Sequence, residues 1–386
     1  MYPRFSDLIN ALFGTNIVLP VQTYGFFVAS AFIVAGIFTY FELKRKRIAG
    51  IIPTQEKTVI KGKPVSASEL AFTGILYIFI GFKVIGLLFD YDNFTENPQD
   101  YLMSTEGSFL GGLILMLLTV TYSWWKGQKG KLDKPIEVKT KVYAEQLTPS
   151  IVLIAAIAGI GGAKLFDVVE HLGDFFRDPL GTLFSFSGLT FYGGLIVATF
   201  AVAYFGVRNK IKWPVMADTV APALMIAYAV GRIGCQLSGD GCWGVPNLEP
   251  KPEWLSFLPD WMWAFKYPHN VINEGLLMHG CDGKYCHELG QAVFPTPFYE
   301  TTICTIFFLV LWFIRKKIVI PGMLFSIYLI LNGIERFIIE GIRVNIKYKI
   351  LFFETTQAQA IAIFLMLLGV IGMIYFSRRF KKQHAI

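Results

Sequence analysis

The sequence predicts an all-α polytopic membrane protein, a bundle of about nine transmembrane helices carrying a small arm outside the bilayer. Three observations carry this. Of the 386 residues, 54% are hydrophobic and only 16% are charged, where a soluble domain has about a quarter charged. The apolar residues gather in runs of about 17–23, the length at which a helix spans a bilayer. The basic residues are segregated into alternate loops.

The runs are about 22–42, 69–89, 108–124, 147–169, 188–207, 215–235, 300–318, 322–340 and 357–376, the third being the shortest. Before them, Phe5, Leu8, Ile9, Leu12 and Phe13 recur at helical spacing. That pattern predicts a short amphipathic helix over 1–16, lying on the membrane interface. No cleavable signal is expected, because the first apolar run has its basic cluster after it rather than before. The chain is expected to form a single membrane domain over 1–386, with no internal repeat of fixed period.

Lys44 to Arg47 follow the first run, a lysine-rich loop at 126–141 the third, and Arg208, Lys210 and Lys212 the fifth. Arg315 to Lys317 follow the seventh run, and Arg378, Arg379, Lys381 and Lys382 the ninth. The intervening loops 90–106 and 170–178 are acidic or mixed. Positively charged loops stay in the cytoplasm. The expected topology therefore has the N-terminus outside and the C-terminus in the cytoplasm. The loop 341–349, with Arg343, Lys347 and Lys349, breaks the pattern. The net charge of +7 is thereby assigned to topology and not to nucleic acid.

The pair of runs within 69–124 reads as an insertion, since removing it leaves the parity unchanged. Residues 236–299, rich in Trp, Pro and Gly, are too long for a simple connection and are expected to form a periplasmic arm. In that arm Cys281 and Cys286 flank Asp282-Gly283, a hairpin turn dipeptide. An oxidising exterior suits a disulfide there. HGCDGKYCH (279–287) also holds two Cys and two His, enough for a zinc site, but in no standard spacing.

Placed by depth, the polar residues of six runs fall at one end of the bundle, with almost none in the other half. They are Tyr24, Lys164 and Asp167, Tyr192, Arg232, Tyr299 and Glu300, and Asn332, Arg336, Glu340 and Arg343. Three arginines with planar forks suit a phosphate or carboxylate. Arg336 and Glu340 share a helix face. Gly193, Gly194 and the glycines at 239–241 permit close backbone approach to a ligand. Each residue alone has a plainer reading. Arginines near helix ends snorkel, tyrosines populate the aromatic belt, Lys83 reads as a snorkelling lysine and Asp240 as a turn former. The functional reading rests on their convergence. A transporter or binding protein for an anionic lipid is the alternative, but ionisable groups are then expected at mid-depth or on both faces.

The segment GRIGCQLSGDGCWG (231–244) resembles the G-R-x-x-N-F-x-N-x-E-x-x-G signature of the prolipoprotein diacylglyceryl transferase family. Tyr24-Gly25, GIGGAKLFD (159–167), SGLTFYGGLIV (187–197), FPTPFYE (294–300) and LILNGIERFIIEGIR (329–343) are similar, in order, to its other motifs. Departures are Cys235 and Ser238 for Asn, Asp240 for Glu, Tyr192 for His, Lys164 for Arg and Asn332 for Tyr. A phenol, with a reference pKa near 10, is a poor general base at neutral pH.

The resemblance implies transfer of the diacylglyceryl group of phosphatidylglycerol to the lipobox cysteine of a prolipoprotein signal peptide, releasing glycerol phosphate. It implies a seven-helix core to which the inserted pair is added. Arg232 and Arg336 are then assigned to the phosphate and Glu340 to orienting Arg336. Tyr24 and Tyr192 would hold the headgroup or relay a proton, and Asp240 and Glu300 would fix the outer loop. Gly193, Gly194, Ser238, Gly244, Tyr299, Asn332 and Arg343 are the remaining expected substrate contacts. No metal or other cofactor is called for, and the expected partners are the lipid and the signal peptide.

Overall fold

A computed structural model describes residues 1–62, 64–91, 94, 101, 104–132, 136–184, 190–344, 347–350 and 353–384. Residues 187–189 of the motif at 187–197 and most of the acidic loop 90–106 lie outside the described residues.

The chain is mostly helical. The helices are α1 (Phe5–Phe13), α2 (Thr23–Ile48), α3 (Ala67–Gly86), α4 (Phe109–Lys129), α5 (Thr148–Glu170), α6 (Leu172–Arg177), α7 (Pro179–Phe184), α8 (Phe191–Arg208), α9 (Trp213–Ser238), α10 (Thr296–Ile314), α11 (Met323–Glu340) and α12 (Gln357–His384). Each predicted run thus overlaps one helix. Among the described residues, seven stretches are long and apolar enough to cross a membrane: α2, α3, α4, Ala144–Glu170, α9, α10 and Gln357–Gln383. Tyr192–Arg208 is apolar but shorter. α11 is 18 residues long and carries Glu335, Arg336 and Glu340. The protein is a multi-pass membrane protein.

Contacts divide the chain into two compact units, one of Val18–Pro20 with Thr54–Tyr143 and one of the rest. In the smaller unit α3 packs on α4. β1 (Gln55–Lys61) pairs antiparallel with β2 (Ile136–Val142), with Gln55 opposite Val142 and Lys61 opposite Ile136. α3 begins at a capping box, in which the Ser66 hydroxyl accepts from Glu69 N–H at 3.2 Å and Glu69 returns the bond to Ser66 N–H at 3.1 Å. Lys83, expected to snorkel, is instead buried. Its ammonium donates to the carbonyls of Tyr101, Ser104 and Glu106 at 2.6, 2.6 and 2.8 Å. Three carbonyl acceptors replace the water that a snorkelling lysine seeks.

In the larger unit α2 packs on α9, α5 on α8, α9 on α10, and α11 on α12. Met225, Cys304, Phe308, Leu311 and Leu324 form an apolar core between α9, α10 and α11. α9 ends at Gly239, whose left-handed φ of 65° caps it. The arm that follows closes on Trp243, Tyr267, Leu289 and Val293. It holds the short pair β3 (Leu276–Leu277) and β4 (His287–Glu288). Cys281 and Cys286 are joined by a disulfide, the first of the two readings of that segment. A last hairpin pairs β5 (Lys347–Ile350) with β6 (Phe353–Thr356) ahead of α12.

One expectation is corrected here. The end of the bundle opposite Arg232 is not poor in polar groups. Glu42, at 1% exposure, is bound by Arg45 at 2.5 Å and by Arg315 at 3.1 Å. Lys46 donates to Val215 O at 3.0 Å and to the Thr219 hydroxyl at 3.1 Å. The Asp218 carboxylate accepts from Gly322 N–H at 2.7 Å and Phe325 N–H at 2.8 Å. It caps α11 from another helix, where a negative charge meets the positive end of the helix dipole. These charges are paired internally, which lets a helix end be buried.

Candidate functional site

The site lies where α9 and α11 end and α10 begins. α10 starts at Thr296-Pro297, with Pro at a position where a missing N–H costs nothing. One turn later this places Glu300 between α9 and α11. Glu300 has no solvent exposure, and its carboxylate is the meeting point of three guanidinium groups. Arg232 Nε lies 3.0 Å from Oε2, Arg336 Nη1 3.5 Å from Oε1, and Arg343 Nη1 3.9 Å from Oε1. Arg336 is also held by Glu340 at 3.2 Å, one helical turn on. Tyr228 donates to Glu300 Oε1 at 3.2 Å and accepts from Arg232 Nη2 at 3.3 Å. Arg232 lies over its ring, 5.1 Å from the centroid.

The electrostatics follow from the count. Three buried carboxylates, Glu300, Glu335 and Glu340, stand among Arg232, Arg336 and Arg343, so the formal charges of the network balance. Side-chain exposures of 15%, 22% and 14% for the three arginines keep part of each fork accessible. A planar fork already fixed by a carboxylate presents its remaining donors to a second anion without further ordering. Glu335, also fully buried, has neither carboxylate oxygen hydrogen-bonded among the described residues.

The signature loop is fastened to α11 by backbone. Gly244 forms an antiparallel bridge with Arg343, and Val245 N–H donates to Ile342 O at 2.8 Å. A Cβ at Gly244 would sit 2.5 Å from Ile342 O. The loop folds on itself through Gly239 and Gly241, with φ of 65° and 85°. Asp240 accepts from Cys242 N–H at 3.2 Å, and Thr296 donates to Cys242 O at 2.6 Å. Ser238 is buried, its hydroxyl without a hydrogen-bond partner among the described residues. Tyr24 lies within electrostatic range of Arg232, Cys235, Asp240 and Cys242.

Several expected contacts have another use. Gly193 and Gly194 are small for packing rather than for a ligand. A Cβ at Gly193 would meet Phe166 at 2.4 Å and Gly162 O at 2.7 Å, and at Gly194 would meet Gly159 O at 2.6 Å. α5 and α8 approach through these small residues, as membrane helices commonly do. Gly244 is likewise taken up by backbone pairing. The Tyr299 hydroxyl donates to Met262 O at 2.9 Å, tying the arm to α10. Glu300, expected to fix the outer loop, is the shared acceptor at the centre. Lys164 pairs with Asp167 at 3.0 Å, and Asp167 with His171 at 3.3 Å. Tyr192 opens α8, and Asn332 stands one turn before Arg336 on α11. The structure brings Arg232, Arg336, Arg343, Glu300 and Glu340 to one place.

Tyr228 and Tyr267 escaped the sequence reading. Tyr228 precedes Arg232 by four residues on one helix face, a spacing that marks it as a neighbour. Tyr267 is fully buried beneath the loop and donates to Gln236 Oε1 at 2.8 Å. Burial pushes its phenol well above the usual tyrosine range, so it stays a protonated donor.

Residues 133–375 match the sequence profile of a family described as prolipoprotein diacylglyceryl transferase. A phosphatidylglycerol–prolipoprotein diacylglyceryl transferase of Leptospira interrogans is 28% identical over 238 residues, covering 55% of this chain and 66% of its own. One from Symbiobacterium thermophilum is 26% identical over 270 residues, 69% of this chain and 88% of its own. One from Listeria monocytogenes serovar 1/2a is 28% identical over 277 residues, 71% and 85%. The chain therefore spans just under two thirds of the Leptospira relative and most of the other two.

Proposed function

This chain belongs to the prolipoprotein diacylglyceryl transferase family, and we propose on that premise that it transfers a diacylglyceryl group from phosphatidylglycerol to a prolipoprotein cysteine. The relatives' names state both substrates. The observation that carries the reading is the convergence of Arg232, Arg336 and Arg343 on the buried Glu300 carboxylate.

The reaction forms a C–S bond and breaks the C–O bond between the glyceryl carbon and the phosphate. The leaving oxygen takes the bonding pair, so negative charge develops on glycerol phosphate. Fixed cations in a partly dry site stabilise that charge more than water does. Arg232 and Arg336 hold the lipid phosphate, with Arg343 completing the cationic wall. Glu300 keeps the three forks in register, since unscreened guanidinium groups at this separation would repel each other. Glu340 fixes the far edge of Arg336. Tyr24, Asp240, Ser238 and Asn332 line the approach, and Tyr192 relays or orients. The lipobox of a signal peptide enters beside the arm, and lipid enters laterally between helices. This end of the bundle faces the periplasm of a bacterial inner membrane, with the N-terminus outside and the C-terminus inside, a reading that the positive-inside pattern of the loops supports.

The test is product identification. Purified protein in phosphatidylglycerol vesicles, given a lipobox peptide, is expected to add one diacylglyceryl mass to the cysteine and release one glycerol phosphate. A peptide with serine at that position remains unmodified. An unchanged cysteine peptide, with the protein folded, would sink the reading.

A further inference from the structure

The signature loop carries a second cluster beside the arginines. Cys235 is buried at the end of α9 and Cys242 is half-buried in the loop, both as free thiols. A donor atom from each, with one from Asp240, lies within 4.8 Å of the other two. A tetrahedral zinc ion with Zn–S near 2.3 Å and Zn–O near 2.1 Å holds its ligands about 3.5–3.8 Å apart. Closing the cluster onto a metal therefore takes a contraction of about 1 Å, within the reach of side-chain rotation. The loop is shaped for it. Gly239 and Gly241, both left-handed, fold residues 235, 240 and 242 toward one point, and Asp240 is oriented by its bond from Cys242 N–H. Thr296 anchors the Cys242 carbonyl to α10. Two thiolates and a carboxylate exceed the charge of a divalent ion by one. Arg232 and Arg343 lie within electrostatic range of Cys242, which favours anionic ligands there.

We propose that Cys235, Asp240 and Cys242 form a thiophilic divalent-metal site, filled by zinc, whose fourth position receives the substrate cysteine. This rests on the transfer reading above and gives it a source for the thiolate. Three protein ligands and one open position are the pattern of a catalytic metal, not a structural one. A thiol that coordinates zinc gives up its proton, which passes to water. The sulfur then attacks the glyceryl carbon, and the C–O bonding pair leaves with the phosphate. The placement suits the reaction, because Arg232 Nη1 stands 3.8 Å from Cys235 Sγ. The nucleophile and the phosphate would thus be held by adjacent groups of one helix. It also dispenses with an imidazole base, which this chain does not have at Tyr192.

The experiment is metal loading of the intact protein in detergent, under reducing conditions. Elemental analysis after incubation with Zn²⁺ and desalting is expected to find about one zinc per chain in wild type. Cys235→Ser and Cys242→Ser are expected to lose it, each binding at least tenfold more weakly. With Co²⁺ as probe, a sulfur-to-cobalt charge-transfer absorption is expected. It strengthens when a cysteine lipobox peptide is added and does not when serine replaces that cysteine. Absence of stoichiometric metal in folded wild type overturns the proposal, as does undiminished binding in the Cys235→Ser/Cys242→Ser double variant. Recovery of Cys235 and Cys242 as a disulfide in protein active without reductant also overturns it. Transfer at full rate by metal-free protein removes the metal inference and leaves the transfer reading standing. Metal bound without any transfer does the reverse.

Discussion

Glu300 is the residue on which the candidate site turns. It is fully buried, and it faces Arg232, Arg336 and Arg343 with Tyr228 as a further donor. Removing one charge of a buried network leaves the others uncompensated, at a cost of about 3–5 kcal/mol. Glu300→Gln is therefore expected to lower the melting temperature in detergent as well as the transfer rate. A variant as stable as wild type would show that the arginines are screened by something else. Arg232→Lys keeps the charge but loses the planar fork. It is expected to slow transfer by about 10²-fold, measured at saturating lipid, with near-normal stability. A lysine variant with full rate would reduce the role of Arg232 to charge alone. These arginines were legible as a group, because ionisable residues are rare inside membrane segments and these fall at corresponding helix ends. Tyr228 and Asp218 were harder to see. A tyrosine in an apolar run reads as belt or core, and a carboxylate capping another helix has no local pattern.

At the scale of elements, α5 and α8 meet through glycines. A Cβ added to Gly162 would lie 2.6 Å from Val197 and 2.7 Å from Gly193 O, while one added to Gly161 meets nothing within 4 Å. Gly162→Ala is expected to cost about 1–3 kcal/mol by overpacking. Gly161→Ala, relieved of glycine's entropy, is expected to be neutral or to stabilise by about 0.5–1 kcal/mol. Thermal melting of the two variants compares them directly, and equal melting points would contradict this packing. The motif glycines were legible as glycines that matter. Whether they admit a ligand or a helix depends on which element lies opposite, and periodicity says nothing of that. The strands β1 and β2 were missed for a different reason. Their lysines put both stretches among the basic loops, although IEVKTKV alternates Ile136, Val138 and Val142 with Glu137, Lys139 and Lys141, the ordinary strand pattern.

For the whole molecule, the apolar runs and the charge asymmetry of the loops made the membrane bundle legible, because bilayer thickness fixes helix length. The extent of the insertion was less so. The contacts set residues 54–143 apart with Val18–Pro20, a wider stretch than the two apolar runs, and the family match begins at residue 133. Gln55 and Val142 are ladder partners, so the ends of the stretch lie about 5 Å apart. Replacing 54–143 by two or three glycines is expected to leave a protein that inserts and transfers at a rate of wild-type order. A folded but inactive deletion variant would assign the inserted pair a part in the reaction.

The most direct test of the central claim compares wild type, Arg232→Ala and Arg336→Ala for the initial rate at which a lipobox cysteine gains diacylglyceryl in phosphatidylglycerol vesicles. Circular dichroism of the same samples checks that each variant is folded. If these guanidinium groups carry the departing phosphate, both substitutions lower the rate by about 10²–10³-fold with helicity unchanged. A folded alanine variant at either position that works at the wild-type rate would contradict the account.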